Sequence, residues 1–396
     1  MAPVVEFSYA ELADESADLS AKIEEAFGHS GLGICTVSGV PGFVEARQAL
    51  LPLAAQLAAL PDDARAALED PASRYNFGWS CCKEVLEGGL PDTRKGSFYA
   101  NPLLDAPASG EPAAAARFPA LARPNLWPRD QLPALEPALK ALGAIVVHTG
   151  LLLARHCDKY CAAVGGHPPR LHDILAASRC HKGRLLHYFA PDASDADAAA
   201  GTNWCGWHFD NGSLTGLTSA MFLDAAGQPA ACPDPGAGLH IKDRAGNVVQ
   251  VQIPPANLGF QVGEALQIHS GGLLRGTPHC VLAPRAELSG GISRETFAVF
   301  MQPDWDCPLE PPAGVAPVDV GIGQWQPGLS FGETSELTMD AYYKAQAASS
   351  DVRAGAAQAR AGATAAVVPR KLRARPAARP QRAAFSGHPV AAIVRL

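Results

Sequence analysis

The protein has 396 residues, of which 47% are hydrophobic and 18% are charged. This composition excludes wholesale disorder, and the length suits one elaborated enzyme domain or two ordinary domains. The net charge is −7, but residues 351–396 carry nine Lys or Arg and one acid, a balance of +8, so residues 1–350 carry −15. Such an acidic body argues against nucleic acid as the main partner.

The N-terminal sequence and the cysteines predict a cytoplasmic protein. Residues 1–19 carry acids where a signal peptide would carry basic residues. Ten cysteines are a low density for this length, and two of them are adjacent, which favours reduced thiols over a disulfide framework. The most apolar stretch, residues 141–154, is too short to span a bilayer, so we expect a soluble protein without a membrane partner.

The first third of the chain is predicted to be mixed α/β. Residues 12–27 and 43–70 have the apolar spacing of helices, and the β-prone run at 31–43 separates them. Residues 71–123 are irregular and rich in Gly, Pro and aromatic residues, which is typical of a covering segment. Its aromatic and basic side chains are equally compatible with a pocket lid and with a structural cover: Tyr75, Phe77, Trp79, Lys95 and Tyr99.

Residues 133–164 are the most strongly periodic part of the chain and predict a long helix buried along one side. The stripe consists of Leu135, Leu139, Leu142, Val146, Thr149, Leu153, His156 and Tyr160. Buried thiols are the expected role of Cys157, Cys161 and Cys180 near this helix, because their spacing is atypical of a structural zinc site.

Residues 184–302 change to short β-prone segments separated by turn residues. The segments are RLLHYFA, LTSAMFL, GLHIKD, VVQVQI, LGFQVG, ALQIHS, HCVLA and TFAVFMQP. Many short strands at this spacing are typical of a sandwich or a barrel. Beyond residue 350 the chain is rich in Ala, Arg and Pro, so we expect a disordered basic tail.

The pattern His-x-Asp occurs at His156–Asp158 and again at His208–Asp210. On a helix, residues two apart point about 200° away from each other, so the first pair cannot readily hold one metal ion. On a strand, residues two apart share a face, so the second pair projects together. An imidazole beside a carboxylate makes two thirds of the facial triad of non-haem Fe(II) oxygenases. The flanking Trp207 and Asn211 are candidates to support these ligands only because they are adjacent.

A third ligand could come from any of the downstream histidines His240, His269 and His279. His279 opens an apolar β-type run, and Arg294 and Thr296 follow it fifteen residues later, two apart on one strand face. A fixed cation with a hydroxyl beside it suits a buried carboxylate of a small diacid. This pair suggests a 2-oxoglutarate site.

Three segments together carry a family resemblance. They are GWHFDNGSLT at 206–215, TPHCV at 277–281, and the run at 294–303 that reads R-E-T-x-x-x-F-x-x-P. In this order and spacing the sequence resembles the isopenicillin N synthase-like branch of the 2-oxoglutarate and Fe(II)-dependent dioxygenases. The resemblance covers nearly all of residues 4–303, including an N-terminal portion similar to the helical domain of that family.

The resemblance implies roles for six residues. His208, Asp210 and His279 would bind the iron, Arg294 and Thr296 would bind the distal carboxylate of 2-oxoglutarate, and Tyr188 would assist there. It further implies Fe(II), 2-oxoglutarate and O2 as the reacting partners. A small organic substrate would be hydroxylated or desaturated, with release of succinate and CO2.

The sequence departs from the family pattern at three places. The usual Arg-x-Ser is Arg-x-Thr here, which keeps the hydroxyl at Thr296. The family's Asn two residues before the tyrosine is Leu186, which removes an amide from the pocket. The interval from the first to the second ligand histidine is longer than usual, and residues 225–238 are the expected insertion.

The predicted fold class is α+β, with a double-stranded β-helix (jelly-roll, cupin-like) core, an N-terminal helical region and a long supporting helix. The predicted division has five parts: a mixed α/β region with the cover segment at 1–130, the supporting helix and a linker at 131–183, the catalytic core at 184–303, an extension at 304–350 and the basic tail at 351–396. The sequence does not indicate an oligomeric state.

Two alternative functions remain open at this point. An oxidase of the same branch would use no 2-oxoglutarate, which Leu186 favours and the Arg294–Thr296 pair disfavours. A non-catalytic metal-binding or sensor protein on the same fold would keep the metal without turnover.

Overall fold

The structure is a computed structural model, and it describes residues 4–83, 93–167, 169–190 and 203–344. The predicted basic tail at 351–396 lies outside the described residues. All ten cysteines fall inside them, and none of the ten forms a disulfide bond.

The chain contains twelve described helices and fourteen described strands. The helices are α1 (Tyr9–Ala13), α2 (Ser20–Phe27), α3 (Phe43–Leu50), α4 (Pro52–Ala58), α5 (Asp62–Ala66), α6 (Pro112–Arg117), α7 (Pro119–Ala122), α8 (Leu135–Gly165), α9 (Leu171–Ala177), α10 (Glu264–His269), α11 (Pro317–Val320) and α12 (331–344). The strands are β1 (Val5–Ser8), β2 (Ile34–Ser38), β3 (Gly78–Cys81), β4 (Lys95–Ala100), β5 (Lys182–Tyr188), β6 (Asn203–His208), β7 (Leu214–Thr218), β8 (Met221–Leu223), β9 (Pro229–Ala230), β10 (Gly238–Lys242), β11 (Val248–Gln250), β12 (Leu258–Val262), β13 (His279–Leu282) and β14 (Ser293–Met301).

The strands form two sheets. The larger sheet has the order β1-β2-β12-β7-β14-β5-β4-β3, with β8 and β9 added beside β14. Only its β1–β2 pair is parallel among the described pairs. The smaller sheet is antiparallel in the order β11-β10-β13-β6. This confirms an α+β fold, and β1 to β4 show that the larger sheet also uses strands from the first 130 residues.

The central strand β14 is buried on both faces and separates the core from a cavity. Phe297, Val299 and Met301 are 0% exposed in the main hydrophobic core, whereas Arg294 and Thr296, at the alternate positions, line the cavity. Because side chains of a strand alternate between its faces, one strand supplies both core and site.

The predicted long helix is confirmed as α8, and all eight residues of its stripe are buried. The helix approaches the sheet closely at Gly150, where a Cβ atom would collide with Met301 and Phe260. By length and composition α8 could cross a membrane, but half of its most apolar window is buried inside the structure. Its packing against β7 and β14 is that of a core helix.

The N-terminal helices are shorter than predicted. The pattern at 12–27 is interrupted between α1 and α2, and the pattern at 43–70 splits into α3, α4 and α5. Pro52 is the first residue of α4, and Pro61 precedes the first residue of α5. A proline lacks the N–H that a continuing helix needs but fits the start of a new one.

Two local predictions were wrong. ALQIHS was predicted as a strand and is the helix α10, because a short apolar run has no period that separates the two states. The segment at 71–123, predicted as irregular, contains β3 and β4, and both belong to the larger sheet. There Phe77, Trp79 and Tyr99 are buried, Trp79 lies in the main hydrophobic core, and none of the three lines the cavity.

We expect Leu153→Ala to lower the free energy of unfolding by about 2–5 kcal/mol, because it empties a buried site between α8 and the sheet. Leu151→Ala is the matched control, since Leu151 is only half-buried on the same helix. Urea denaturation measures both variants. Equal losses would contradict the burial of one face of α8.

Candidate metal and cosubstrate site

Three predicted ligand residues converge at one end of the smaller sheet. His208 ends β6, Asp210 lies two residues beyond it, and His279 opens β13 directly opposite His208. The Oδ1 atom of Asp210 lies 3.7 Å from Nε2 of His208 and 3.8 Å from Nε2 of His279. The ligand atoms of all three residues lie within 4.8 Å of one another, which is close enough to share one metal ion.

The backbone fixes the tautomer of His208. Its Nδ1 lies 2.8 Å from the carbonyl oxygen of Gly206, which can only accept a hydrogen bond. Nδ1 therefore carries a hydrogen, and Nε2 is the ring nitrogen that faces Asp210 and can bind a metal ion once it has lost its own proton. This is the orientation that a metal-binding imidazole requires.

Gln261 fixes the tautomer of His279 in the same way. The Nδ1 atom of His279 lies 3.3 Å from the carbonyl oxygen of Thr277 and 2.7 Å from the side-chain amide of Gln261. The carbonyl oxygen of Thr277 can only accept, so Nδ1 carries the hydrogen. The amide atom placed at 2.7 Å is Nε2 of Gln261, and turning the amide by 180° brings Oε1, which otherwise has no partner among the described residues, into position to accept that hydrogen. Nε2 of His279 is left unprotonated toward Asp210.

Asp210 is held from behind by a hydroxyl. Thr215 donates a hydrogen bond of 2.7 Å to Oδ2 of Asp210. Asp210 is only 5% exposed. The other oxygen, Oδ1, is the one that faces both imidazoles. The carboxylate thus offers one oxygen to the cavity.

The two imidazoles differ strongly in proton affinity. Burial lowers the pKa of His208, but Cys205 and Asp210 outweigh burial and raise it to about 9. Burial and the charge of His208 lower the pKa of His279 to about 4. Without a cation the pair therefore keeps one proton beside the carboxylate, and a bound divalent ion would displace that proton.

Arg294 lies in the same cavity, on the larger sheet. Its side chain stacks over the rings of Tyr188 at 4.9 Å and Trp204 at 5.8 Å from the ring centroids. The residue is 8% exposed, and its Nε and Nη1 atoms are buried without a hydrogen-bond partner among the described residues. A buried guanidinium in this state needs an anion.

The structure places the other two predicted cosubstrate contacts beside Arg294. Tyr188 of β5 pairs with Arg294 of β14 in the sheet register. Thr296 lies two residues along β14, where its hydroxyl contacts Thr218. Tyr188, Thr296 and Leu186 all line the cavity with Arg294 and the metal ligands. This cavity has a volume of about 980 Å³.

The remaining histidine candidates lie elsewhere. His269 bonds the carbonyl oxygen of Pro308, and His240 bonds that of Gly238, so neither joins the triad. His156 bonds the carbonyl oxygen of Leu12, whereas Asp158 accepts hydrogen bonds from the first backbone amides of α9. The expectation that this first His-x-Asp pair holds no metal agrees with the geometry.

The remaining residues that the sequence singled out, three cysteines and the two neighbours of the ligands, are structural. Cys157 and Cys161 are buried in the main core, and Cys180 is buried in a separate cluster. Trp207 lies under the ammonium group of Lys242. The side-chain amide of Asn211 is buried without a hydrogen-bond partner among the described residues, so it makes no hydrogen bond to any of the three ligands.

The sequence interpretation missed Gln261 and Thr215, which orient two of the ligands. Thr215 lies inside the quoted segment at 206–215, five residues after Asp210. Gln261 is the one polar side chain of the otherwise apolar strand LGFQV. A polar residue in a buried strand was the available signal.

We expect Asp210→Ala to weaken Fe(II) binding more than about 100-fold, because it removes a ligand and not merely a residue that supports one. His240→Ala is the matched control, since His240 also bonds a carbonyl two residues upstream but lies outside the triad. Anaerobic Fe(II) titration measures both. Equal affinities in the two variants would remove Asp210 from the ligand set.

Gln261→Leu should weaken Fe(II) binding about 10–100-fold while the three ligands stay in place, because His279 loses its hydrogen-bond acceptor. Gln261→Glu keeps an acceptor at that position and should retain most of the affinity. The same titration distinguishes the two substitutions. Identical losses would show that Gln261 acts only by packing.

No protein-family model matches the chain, and no curated protein matches it. Solved structures do match. A Caulobacter crescentus protein assigned to the 2OG-Fe(II) oxygenase family has a TM-score of 0.65 and 18% identity, over 86% of this chain and 99% of that chain. A full-length Neurospora crassa protein in complex with alpha-KG has a TM-score of 0.63 and 18% identity, over 84% and 95%. The rice dioxygenase for auxin oxidation has a TM-score of 0.55 and 19% identity, over 86% and 96%. The chain therefore has the fold of these 2OG-Fe(II) oxygenases, and the resemblance predicted from the three segments is confirmed as a shared fold.

Proposed function

We propose that the protein is an Fe(II)- and 2-oxoglutarate-dependent dioxygenase that oxidises a small organic substrate with release of succinate and CO2. One observation carries the proposal: the His208–Asp210–His279 triad and the unpartnered guanidinium of Arg294 line the same cavity. The triad fits a metal ion, and the guanidinium fits an acid.

The residues present fit the metal. Two neutral imidazoles and one carboxylate on a single face are the donor set of non-haem Fe(II) sites with open positions. His208, Asp210 and His279 would hold the ion, and Gly206, Gln261 and Thr215 orient them. Bound Fe(II) would supply the coupling of O2 reduction to decarboxylation of the cosubstrate.

The residues present also fit 2-oxoglutarate. Arg294 offers two buried donors without a partner in the described chain, and Thr296 adds a hydroxyl on the same strand face. Tyr188 and Trp204 enclose the guanidinium and keep water from it, which strengthens its attraction for a carboxylate. The distal carboxylate of the cosubstrate would neutralise this charge.

The fold holds these groups on two rigid surfaces. The triad belongs to the smaller sheet and Arg294 to the larger sheet, and we assign the two sheets to the two sides of a double-stranded β-helix, as in jelly-roll proteins. Placement is the main task of the protein in such chemistry, because a strong oxidant attacks whatever lies within reach.

A small-molecule substrate agrees with the cavity of about 980 Å³, which must also hold the cosubstrate. A second crystal structure of the Neurospora crassa protein, which shares the fold, holds alpha-KG and thymine. We propose the same size class of substrate here, in a cytoplasmic protein with neither nucleic acid nor membrane as its main partner.

Succinate formation tests the proposal directly. The anaerobic protein is loaded with Fe(II) and 2-oxoglutarate, O2 is admitted, and succinate per O2 consumed is measured. We expect one succinate per O2, even in slow turnover without substrate. O2 consumption without succinate would favour the oxidase that Leu186 allows, and the absence of both would favour a metal-binding sensor.

Arg294→Ala is expected to raise the 2-oxoglutarate concentration for half-saturation roughly tenfold or more, because a charge-assisted hydrogen bond to a buried carboxylate is lost. Fe(II) affinity should stay unchanged, since Arg294 is not in the triad. The control is Arg129→Ala, an exposed arginine that pairs with Glu136 on α8. An unaltered requirement for 2-oxoglutarate in Arg294→Ala would contradict the assignment.

A further inference from the structure

A second guanidinium reaches the cavity from a different part of the chain. Arg47 lies on α3, is 7% exposed and lines the cavity. Its Nε donates to the carbonyl oxygen of Ser219 at 3.0 Å, and its Nη2 donates to those of Ser219 and Ala220 at 2.8 and 2.9 Å. Ser219 and Ala220 connect β7 to β8 on the cavity wall.

Arg47 has no counter-ion among the described residues. Its partners are neutral carbonyl groups, and its Nη1 makes no hydrogen bond in the described chain. Burial lowers the pKa of Arg47, and no neighbouring acid acts to raise it. Because a buried charge without a partner is costly, an anion in the cavity would relieve this site.

The cavity itself offers no anion for Arg47. Its described lining contains one acid, Asp210, which is proposed to bind the metal, against Arg47, Arg184 and Arg294. Arg184 donates to the hydroxyl of Ser97, and Arg294 is assigned to 2-oxoglutarate. Neither the described chain nor the proposed cosubstrate therefore provides an anionic partner for Arg47.

The rest of the wall is mainly apolar. Its larger apolar side chains include Leu186, Leu217, Met221, Phe222, Ile253 and Phe300. Apolar walls bind an apolar body, and an isolated guanidinium selects an anionic group on it. The absence of a free acid in the described lining disfavours a cationic substrate.

We propose that Arg47 binds the carboxylate of the substrate, and that the substrate class is small apolar carboxylic acids. That this acid is the substrate rests on the proposed function, whereas its binding at Arg47 does not. Nη1 of Arg47 donates to the carboxylate while Ser219 and Ala220 hold the guanidinium in place, and the apolar wall contacts the remainder of the molecule.

The test measures selectivity for a carboxylate over the matched neutral amide. Octanoate and octanamide, and phenylpropanoate and phenylpropanamide, are titrated calorimetrically into the full-length protein without Fe(II) or 2-oxoglutarate. Wild-type protein is expected to bind at least one acid roughly tenfold more tightly than its amide. Arg47→Gln should abolish that ratio and leave the affinity for the amide unchanged.

Two control variants separate Arg47 from the other cations. Arg47→Lys keeps a positive charge and should retain part of the selectivity. Arg129→Ala, which changes an exposed arginine paired with Glu136, should retain all of it. NMR of the arginine side chains in the wild-type protein gives a readout that needs no variant. The Hε signal of Arg47 should shift when the acid binds.

Each other outcome overturns the proposal. If neither acid binds more tightly than its amide, small apolar carboxylic acids are excluded as the substrate class. Selectivity that survives Arg47→Gln but disappears in Arg294→Ala places the acid in the cosubstrate site. Because no iron or 2-oxoglutarate is present, failure of the succinate assay would leave these binding constants unaffected, so the two proposals fail separately.

Discussion

The pairing of β6 with β13 is the constraint on which the candidate site depends. This antiparallel pair puts His208 directly opposite His279, and Asp210 follows two residues beyond the end of β6. A slip of one residue would turn one imidazole to the other face of the sheet and separate the triad. The register shifts immediately after His279, and an irregularity of this kind beside a site re-aims side chains without ending the pairing.

The larger sheet supplies the positive charge of the site. It holds the guanidinium of Arg294 in a fixed, buried position. Tyr188 and Arg294 face each other across β5 and β14, so the ring that covers the guanidinium is positioned by the same hydrogen bonds as the guanidinium itself. The opposite face of β14 packs in the core with α8. Packing of the core thus keeps Arg294 buried, although its charge favours exposure to solvent.

The parts of the structure that the sequence predicts are those with a strong local period. The two-residue period of a strand was sufficient to place Arg294 beside Thr296 on β14, and the helical period was sufficient for α8. His208 and Asp210 do lie together as predicted, but Asp210 lies beyond the end of β6, so the chain after the strand places it and not the strand period. A short run such as residues 264–269 has no distinctive period, and its helical state follows from tertiary contacts such as the bond of the Glu264 amide to the carbonyl of Asp210. Arg47 reaches the site from a helix distant in sequence, so only the folded chain reveals it. Gln261 was signalled as the one polar side chain of its strand, but its contact with His279 follows only from the fold.

Charge balance connects the two proposed ligand sites. Among the cavity-lining groups, Arg47 and Arg294 have no anionic partner in the described chain, and a divalent metal on the carboxylate of Asp210 adds one more net positive charge. Such an excess in a low-dielectric cavity is unfavourable unless anions enter. A dicarboxylate cosubstrate offsets the metal and Arg294 but leaves Arg47. A substrate that brings one more carboxylate therefore completes the balance, and binding of metal, cosubstrate and substrate should then be mutually favourable because each neutralises charge left by the others.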